Sequence, residues 1–290
     1  MTNFYINEKW KNIANGHTAF CILGGPSVNQ VKNLKEIIKN NFTITVNRNI
    51  EKYPDSSMYV TGDSFIAREY FEEKEFFLHK FKGGKLLKNQ SHFDYNEEPI
   101  WVKGKRNILL SNKNLIKIIA CNEYPCYNTS FTTGQLYKYN GIEYAKQVNN
   151  THICIEHRDK NGESWPTLSP KIPETIEKYG SDPLCLYPGG NISSILFQIL
   201  YYMGFSKLVI VGYGDKGNSM GYENVKYTNN NFEWSESELH AMAIHNIKWG
   251  DRLKILHGGE ICKEYAPYLD ATYEDLDNNK EELVNKLIKL

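Results

Sequence analysis

The chain has no surplus of either charge: 34 Lys and Arg balance 34 Asp and Glu over 290 residues. That balance excludes a global basic field for holding nucleic acid and favours a small or glycan-like partner. The sequence also lacks any apolar run near the roughly 20 residues that cross a bilayer. Its first residues, Met1 to Gly16, mix Asn, Lys, Glu and Trp, and the expectation is a soluble, cytoplasmic protein. Cysteine is sparse. Of the six, at 21, 121, 126, 154, 185 and 262, only Cys121 and Cys126 lie close together, and no second pair matches them. Zinc is therefore not expected, and reduced, mostly buried thiols are. Internal repeats and low-complexity tracts are missing too.

What the chain does have is a segment that changes character abruptly. Ala19-Phe20-Cys21-Ile22-Leu23 is apolar, Gly24-Gly25-Pro26-Ser27 follows, and an amphipathic stretch comes next. This reads as strand, tight turn and helix, where glycines allow close backbone approach and a helix start favours an anion such as phosphate. An ordinary turn in a parallel sheet is the alternative. Strand-like runs at 18–24, 42–47 and 57–61 alternate with helical patterns at 28–40 and about 64–79, the rhythm of a parallel sheet. In the first helix Val28, Val31, Leu34, Ile37 and Ile38 form one stripe.

Periodicity fades from about 80 to 180, which is assigned to irregular insertions and edge elements. It returns with a short strand at 184–187, a turn at 188–191, an almost wholly apolar helix at 192–203 and a buried strand at 207–211. Ser235 and Glu238 form a capping box for a helix to Trp249, a last strand runs over 254–257, and the tail from Tyr273 reads as helical. The fold class expected is α/β, a Rossmann-like, mostly parallel sheet with helices on both faces. Residues 1–272 form a single domain with an insertion at about 80–180 and a lid at about 214–240, followed by a helical tail at 273–290.

Ligands of open parallel sheets bind at the carboxyl ends of the strands. The polar residues there are Gly24, Gly25 and Ser27, then Asn47, Thr61 and Asp63, then Gly190 to Ser193, then Tyr213 to Lys216. Asp63 and Asp215 could hydrogen-bond a ribose or hold Mg²⁺, and capping the helix at Ser64 is the alternative for Asp63. His152 and His157 fall on opposite faces of a strand and have no identifiable metal partners.

In order along the chain, Gly-Gly-Pro-Ser, Val46-Asn47-Arg48, Thr61-Gly62-Asp63, Gly190-Asn191-Ile192-Ser193, Met203-Gly204-Phe205 and Leu208-Val209-Ile210-Val211-Gly212-Tyr213 resemble one superfamily. It comprises bacterial lipooligosaccharide sialyltransferases, motility-associated glycosyltransferases, phage-encoded glycosyltransferase-like proteins and 6-hydroxymethylpterin diphosphokinase-like domains. The resemblance covers about two thirds of the chain and implies a GT-A-variant nucleotide-sugar site. It assigns the nucleotide to Gly25, Pro26, Ser27, Asn47, Asn191 and Ser193, and the strand-end residues Gly24, Thr61, Asp63 and Tyr213 complete the expected binding set. Gly24 stands where the sialyltransferases carry Asn, and Thr61 lies near a second nucleotide-binding Asn position, so the nucleotide is left open.

The family holds its departing phosphate with two tyrosines; at the matching spacing this chain has Lys216 and Tyr222, and a lysine ammonium and a phenol can both perform that task without metal, a surface loop with a solvated Lys216 being the alternative. It places the general base on a histidine ahead of the last strand. His240 is the first candidate, with His245 and His257 as rivals. The function implied is a glycosyltransferase moving a sugar from a nucleotide-activated donor to a hydroxyl of a glycan or, less favoured, of a modified DNA base. No cofactor is required beyond the nucleotide-sugar donor, and a homo-oligomer is implied. The alternatives are an ATP- and Mg²⁺-dependent diphosphokinase and a nucleotide-binding module without catalysis.

Overall fold

A computed structural model describes residues 8–62, 64–74, 76–79, 99–121, 126–129, 136–139, 141–155, 192–213, 243, 245–258, 263 and 267–290. In chain order its strands are β1 (Thr18–Ile22), β2 (Thr43–Val46), β3 (Met58–Thr61), β4 (Phe76–His79), β5 (Pro99–Val102), β6 (Ile116–Cys121), β7 (Cys126–Thr129), β8 (Leu136–Tyr139), β9 (Thr151–Ile155), β10 (Lys207–Val211), β11 (Leu253–Ile255) and β12 (Leu269–Asp270). The helices are α1 (Leu34–Asn40), α2 (Ser64–Phe71), α3 (Arg106–Ser111), α4 (Gly141–Gln147), α5 (Ile192–Tyr202) and α6 (Lys280–Ile288).

Eight strands form one sheet in the order β12-β11-β10-β1-β2-β3-β6-β9, and every neighbouring pair is parallel. This is the doubly wound α/β architecture expected from the sequence. A sheet buried on both faces needs strands without polar alternation, and β1, Thr-Ala-Phe-Cys-Ile, is buried at all five positions. Successive side chains then divide between two cores. Ala19, Cys21, Ile44, Val60, Ile118, Leu208 and Ile210 pack with α5 and α6 on one face. On the other face Phe20, Ile22, Val209 and Val211 meet Val28, Ile37 and Ile38 near α1, while Tyr59, Ile119 and Ile153 meet α2, α3 and α4.

α5 is apolar all round because it is enclosed all round: nine of its eleven residues are buried, and only Ile192 and Tyr201 are partly exposed. α6 buries Leu283, Val284 and Leu287 against the same core. Just before it, the Asn279 side chain accepts from the Phe42 N–H and donates to the Thr18 carbonyl, at 2.7 and 2.8 Å. The tail is thus stitched across the starts of β1 and β2. Cys21 and Cys154 are free and buried, and burial pushes the Cys21 thiol far up.

Several elements differ from the sequence reading. The helix expected over 28–40 is a 3-10 turn, Pro26–Gln30, followed by α1. Val31 is extended and Asn33 is left-handed at φ 57, which interrupts the helix. The apolar residues still share one core: Val28 comes from the 3-10 turn, Val31 from the extended residue after it, and Leu34, Ile37 and Ile38 from α1. The helix expected over 64–79 ends at Phe71, and β4 pairs with β5 as an antiparallel hairpin. The stretch 80–180, assigned to irregular insertions and edge elements, does carry the edge strand β9, but also β6 inside the main sheet, α3, α4 and a second hairpin, β7 with β8. The strand expected over 254–257 is β11, Leu253–Ile255, a further strand, β12, follows it, and the tail opens with a 3-10 turn, Tyr273–Asp275, before α6. The strand expected at 184–187, the turn at 188–191, the lid at 214–240 and the Ser235 capping box lie outside the described residues. Among the described residues no helix is long and apolar enough to cross a membrane.

Candidate functional site

From β1 the chain winds outward through β2, β3, β6 and β9, and then returns through α5 to place β10 on the other side of β1. At such a reversal the connections leave the two neighbouring strands in opposite directions and open a crevice at their carboxyl ends. The reversal here lies between β1 and β10. The residues after these strands therefore hold the position at which open α/β sheets take ligands.

The two turns at that position are bonded to each other. The Gly25 N–H donates to the Gly212 carbonyl at 3.0 Å, and the Gly212 N–H donates to the Ser27 hydroxyl oxygen at 3.0 Å. Gly212 has φ 75, and a Cβ there would lie 2.7 Å from the Leu23 carbonyl oxygen and 2.9 Å from the Gly25 nitrogen. Only glycine meets both conditions. Gly25, by contrast, is extended at φ −70 and ψ 155, a conformation open to any residue. Ser27 is buried and its oxygen serves the backbone of the partner turn. Gly24, Gly25 and Pro26 are half-buried beside it.

Next to this junction, Asn47 follows β2 with a left-handed φ of 49, which Asn tolerates better than most residues. Its Oδ1 accepts from the Thr61 hydroxyl at 3.1 Å, so the ends of β2 and β3 are joined. Thr61 is fully buried and Asn47 half-buried. Two residues on, buried Asn49 donates from Nδ2 to the carbonyls of Ile22 and Leu23 at 3.1 and 2.9 Å, tying this turn to the end of β1. Its outer side is braced by charge. Arg48 Nε lies 3.3 Å from Glu69, and Lys105 Nζ reaches both Glu69 and Glu51 at 2.6 Å. Tyr70 donates to Glu51. Partial burial pushes the Glu51 carboxyl up, but the bonds from Lys105 and Tyr70 and the nearby cationic charges bring it below its ordinary range. Burial and the Glu51 bond push the Tyr70 phenol strongly up.

Between the end of β10 and α5 the packing is aromatic. Tyr213 is buried, its hydroxyl lies 3.4 Å from Asn246 Oδ1, and its ring packs edge-on against Phe197 with centroids 5.4 Å apart. Ser193 stands one helical turn before Phe197 on the same side of α5 and is also buried. His245 packs on Phe197 from the other direction, at 5.3 Å, and burial lowers its pKa to about 3. A ring so weakly basic is a core histidine and a poor general base. His257 is exposed just past the end of β11, with a left-handed φ of 55. His152 lies elsewhere, against Trp10 on the edge strand β9, and burial together with the Lys117 charge lowers it to about 4.

Of the residues expected at the site, Gly24, Gly25, Pro26, Ser27, Asn47, Thr61, Ser193 and Tyr213 are all at the carboxyl side of the sheet. Ser27 is joined to the β10 turn and Asn47 to Thr61. Asp63, Asn191, Lys216, Tyr222, His240 and Asp215 lie outside the described residues. Gly212, Asn49 and Asn246 have no role in the sequence reading. Gly212 carried a signal, a glycine directly after an apolar strand. Asn49 and Asn246 carried none, since their roles arise from carbonyl and hydroxyl groups remote in sequence. Comparison with protein-family models and with curated proteins finds no match to this chain.

Proposed function

We propose that this protein binds a nucleotide-activated sugar at the junction of the β1 and β10 turns and transfers the sugar to a hydroxyl acceptor by direct displacement. The observation that carries the reading is that Gly24, Gly25, Asn47 and the buried supports Ser27, Thr61 and Gly212 follow or end the neighbouring strands β10, β1, β2 and β3, on the carboxyl side of the sheet and beside the reversal of strand order between β1 and β10. The sequence resemblance supplies the chemistry. The acceptor oxygen attacks the anomeric carbon, the bond from that carbon to the phosphate oxygen breaks, and the phosphate keeps the electron pair. His240 takes the acceptor proton, and Lys216 and Tyr222 donate hydrogen bonds to the charge forming on the phosphate. The weak basicity of His245 leaves His257 as the rival base. The acceptor proposed is a glycan.

Thermal shift and isothermal titration with nucleoside mono- and diphosphates and their sugar conjugates test the reading. Saturable binding of at least one member, with product formation lost in His240→Ala, is the expected result. Failure of every member to bind ends it. Turnover of ATP that vanishes with EDTA and returns with Mg²⁺ would replace sugar transfer by phosphoryl transfer.

A further inference from the structure

We infer that Thr61 is a positioning residue that sets the hydrogen-bond polarity of Asn47, so that the ligand atom held against Asn47 is an acceptor. The inference rests on the nucleotide-binding reading and goes beyond it, because it removes Thr61 from direct contact and specifies what Asn47 recognises.

Three observations carry it. Thr61 is fully buried at the last position of β3, so its hydroxyl serves the protein interior. That hydroxyl donates to Asn47 Oδ1 at 3.1 Å, which occupies the carbonyl end of the amide and turns the NH₂ end, with its two donors, away from Thr61. The Asn47 backbone is held as well: its φ is 49, and Asn49 anchors the same turn to Ile22 and Leu23. A half-buried amide fixed in both backbone and side chain at a ligand crevice is preorganised to donate. Phosphate oxygens, ribose oxygens and base carbonyls meet that requirement, and an exocyclic amino group does not.

The test uses wild-type protein, Asn47→Asp, Thr61→Val and Thr61→Ser. Asp preserves the oxygen facing Thr61 and tolerates the same backbone, but replaces the donors by a second oxygen. Asn47→Asp is expected to melt like wild type and to bind the tightest nucleotide of the panel on the order of a hundredfold more weakly. Thr61→Val is expected to weaken it about five- to tenfold, and Thr61→Ser to restore it to within about twofold. A ligand-free readout separates the two layers: in protein labelled with ¹⁵N-Asn, the side-chain NH₂ pair that disappears in Asn47→Asp should lose its single sharp environment in Thr61→Val and regain it in Thr61→Ser. An amide pair indifferent to Thr61→Val overturns the positioning role whatever binds. Undiminished nucleotide binding by Asn47→Asp overturns the donor assignment. A wild-type protein that binds no nucleotide overturns the crevice reading and the ligand half of the inference, while the NH₂ signals still decide the positioning half.

Discussion

Gly212 bonds to both Gly25 and Ser27 and so joins the turn after β10 to the turn after β1. Gly212→Ala combines a left-handed backbone with a Cβ 2.7 Å from the Leu23 carbonyl oxygen, and both turns must shift to admit it. The expected loss is about 2–3 kcal/mol, read as a lower urea midpoint at unchanged m-value. Ser27→Ala leaves the Gly212 N–H without its acceptor and is expected to cost about 1–3 kcal/mol. A Ser27→Ala protein as stable as wild type would show that this bond does not hold the junction. The place of single residues in the fold was legible in the sequence where an apolar run ends, as with Gly25 and Ser27 after β1 and Asn47 after β2. Their division of labour was not. Nothing in the composition around Thr61 distinguishes a side chain that faces a ligand from one that faces Asn47, because the difference lies in which way β3 turns its last residue.

Among the elements, α1 depends on Asn33. Alanine at φ 57 meets the steric penalty that asparagine largely avoids, so Asn33→Ala is expected to destabilise by about 1–2 kcal/mol, with Asn33→Gly close to wild type in the same denaturation assay. Strands were the most legible elements. Apolar runs bounded by Gly, Asn or Pro located β1, β2, β3 and β10 within a residue or two, since burial on both faces leaves a continuous signal. β6, in contrast, was hidden in a region assigned to irregular insertions and edge elements, because polar residues enter it for local reasons. Lys117 sits buried in β6 with its ammonium donating to the carbonyls of Leu115 and Asn149 at 2.8 and 2.9 Å, and burial lowers it to about 8. A lysine in a strand reads as a solvated edge, and only the fold supplies the carbonyls that accept it.

At the scale of the whole molecule, two histidines make stability depend on pH. Burial lowers His245 to about 3, and burial with the Lys117 charge lowers His152 to about 4, against an ordinary value of 6.5. The unfolded chain binds protons at these sites more readily than the folded one, so stability is greatest above about pH 6.5 and falls as the pH drops toward 4. Urea titrations at pH 7.5, 6 and 5 should show this loss, and His245→Gln should flatten it. Asp275 acts in a separate, lower window. Although some burial raises it, the Lys207 bond at 2.7 Å, the Thr272 N–H and the Lys254 charge hold it at about 2, so its contribution fades only below its ordinary 3.8. The pairing of Thr18 with Lys207 has a further consequence for biosynthesis. While the ribosome works from β1 to β10, on the order of tens of seconds at ordinary elongation rates, the innermost strand keeps one flank bare and open to adhesion by other nascent chains. Slower, cooler expression or holdase chaperones should raise the soluble yield, and the bonds that Gly212 makes with Gly25 and Ser27 can form only once β10 has been made.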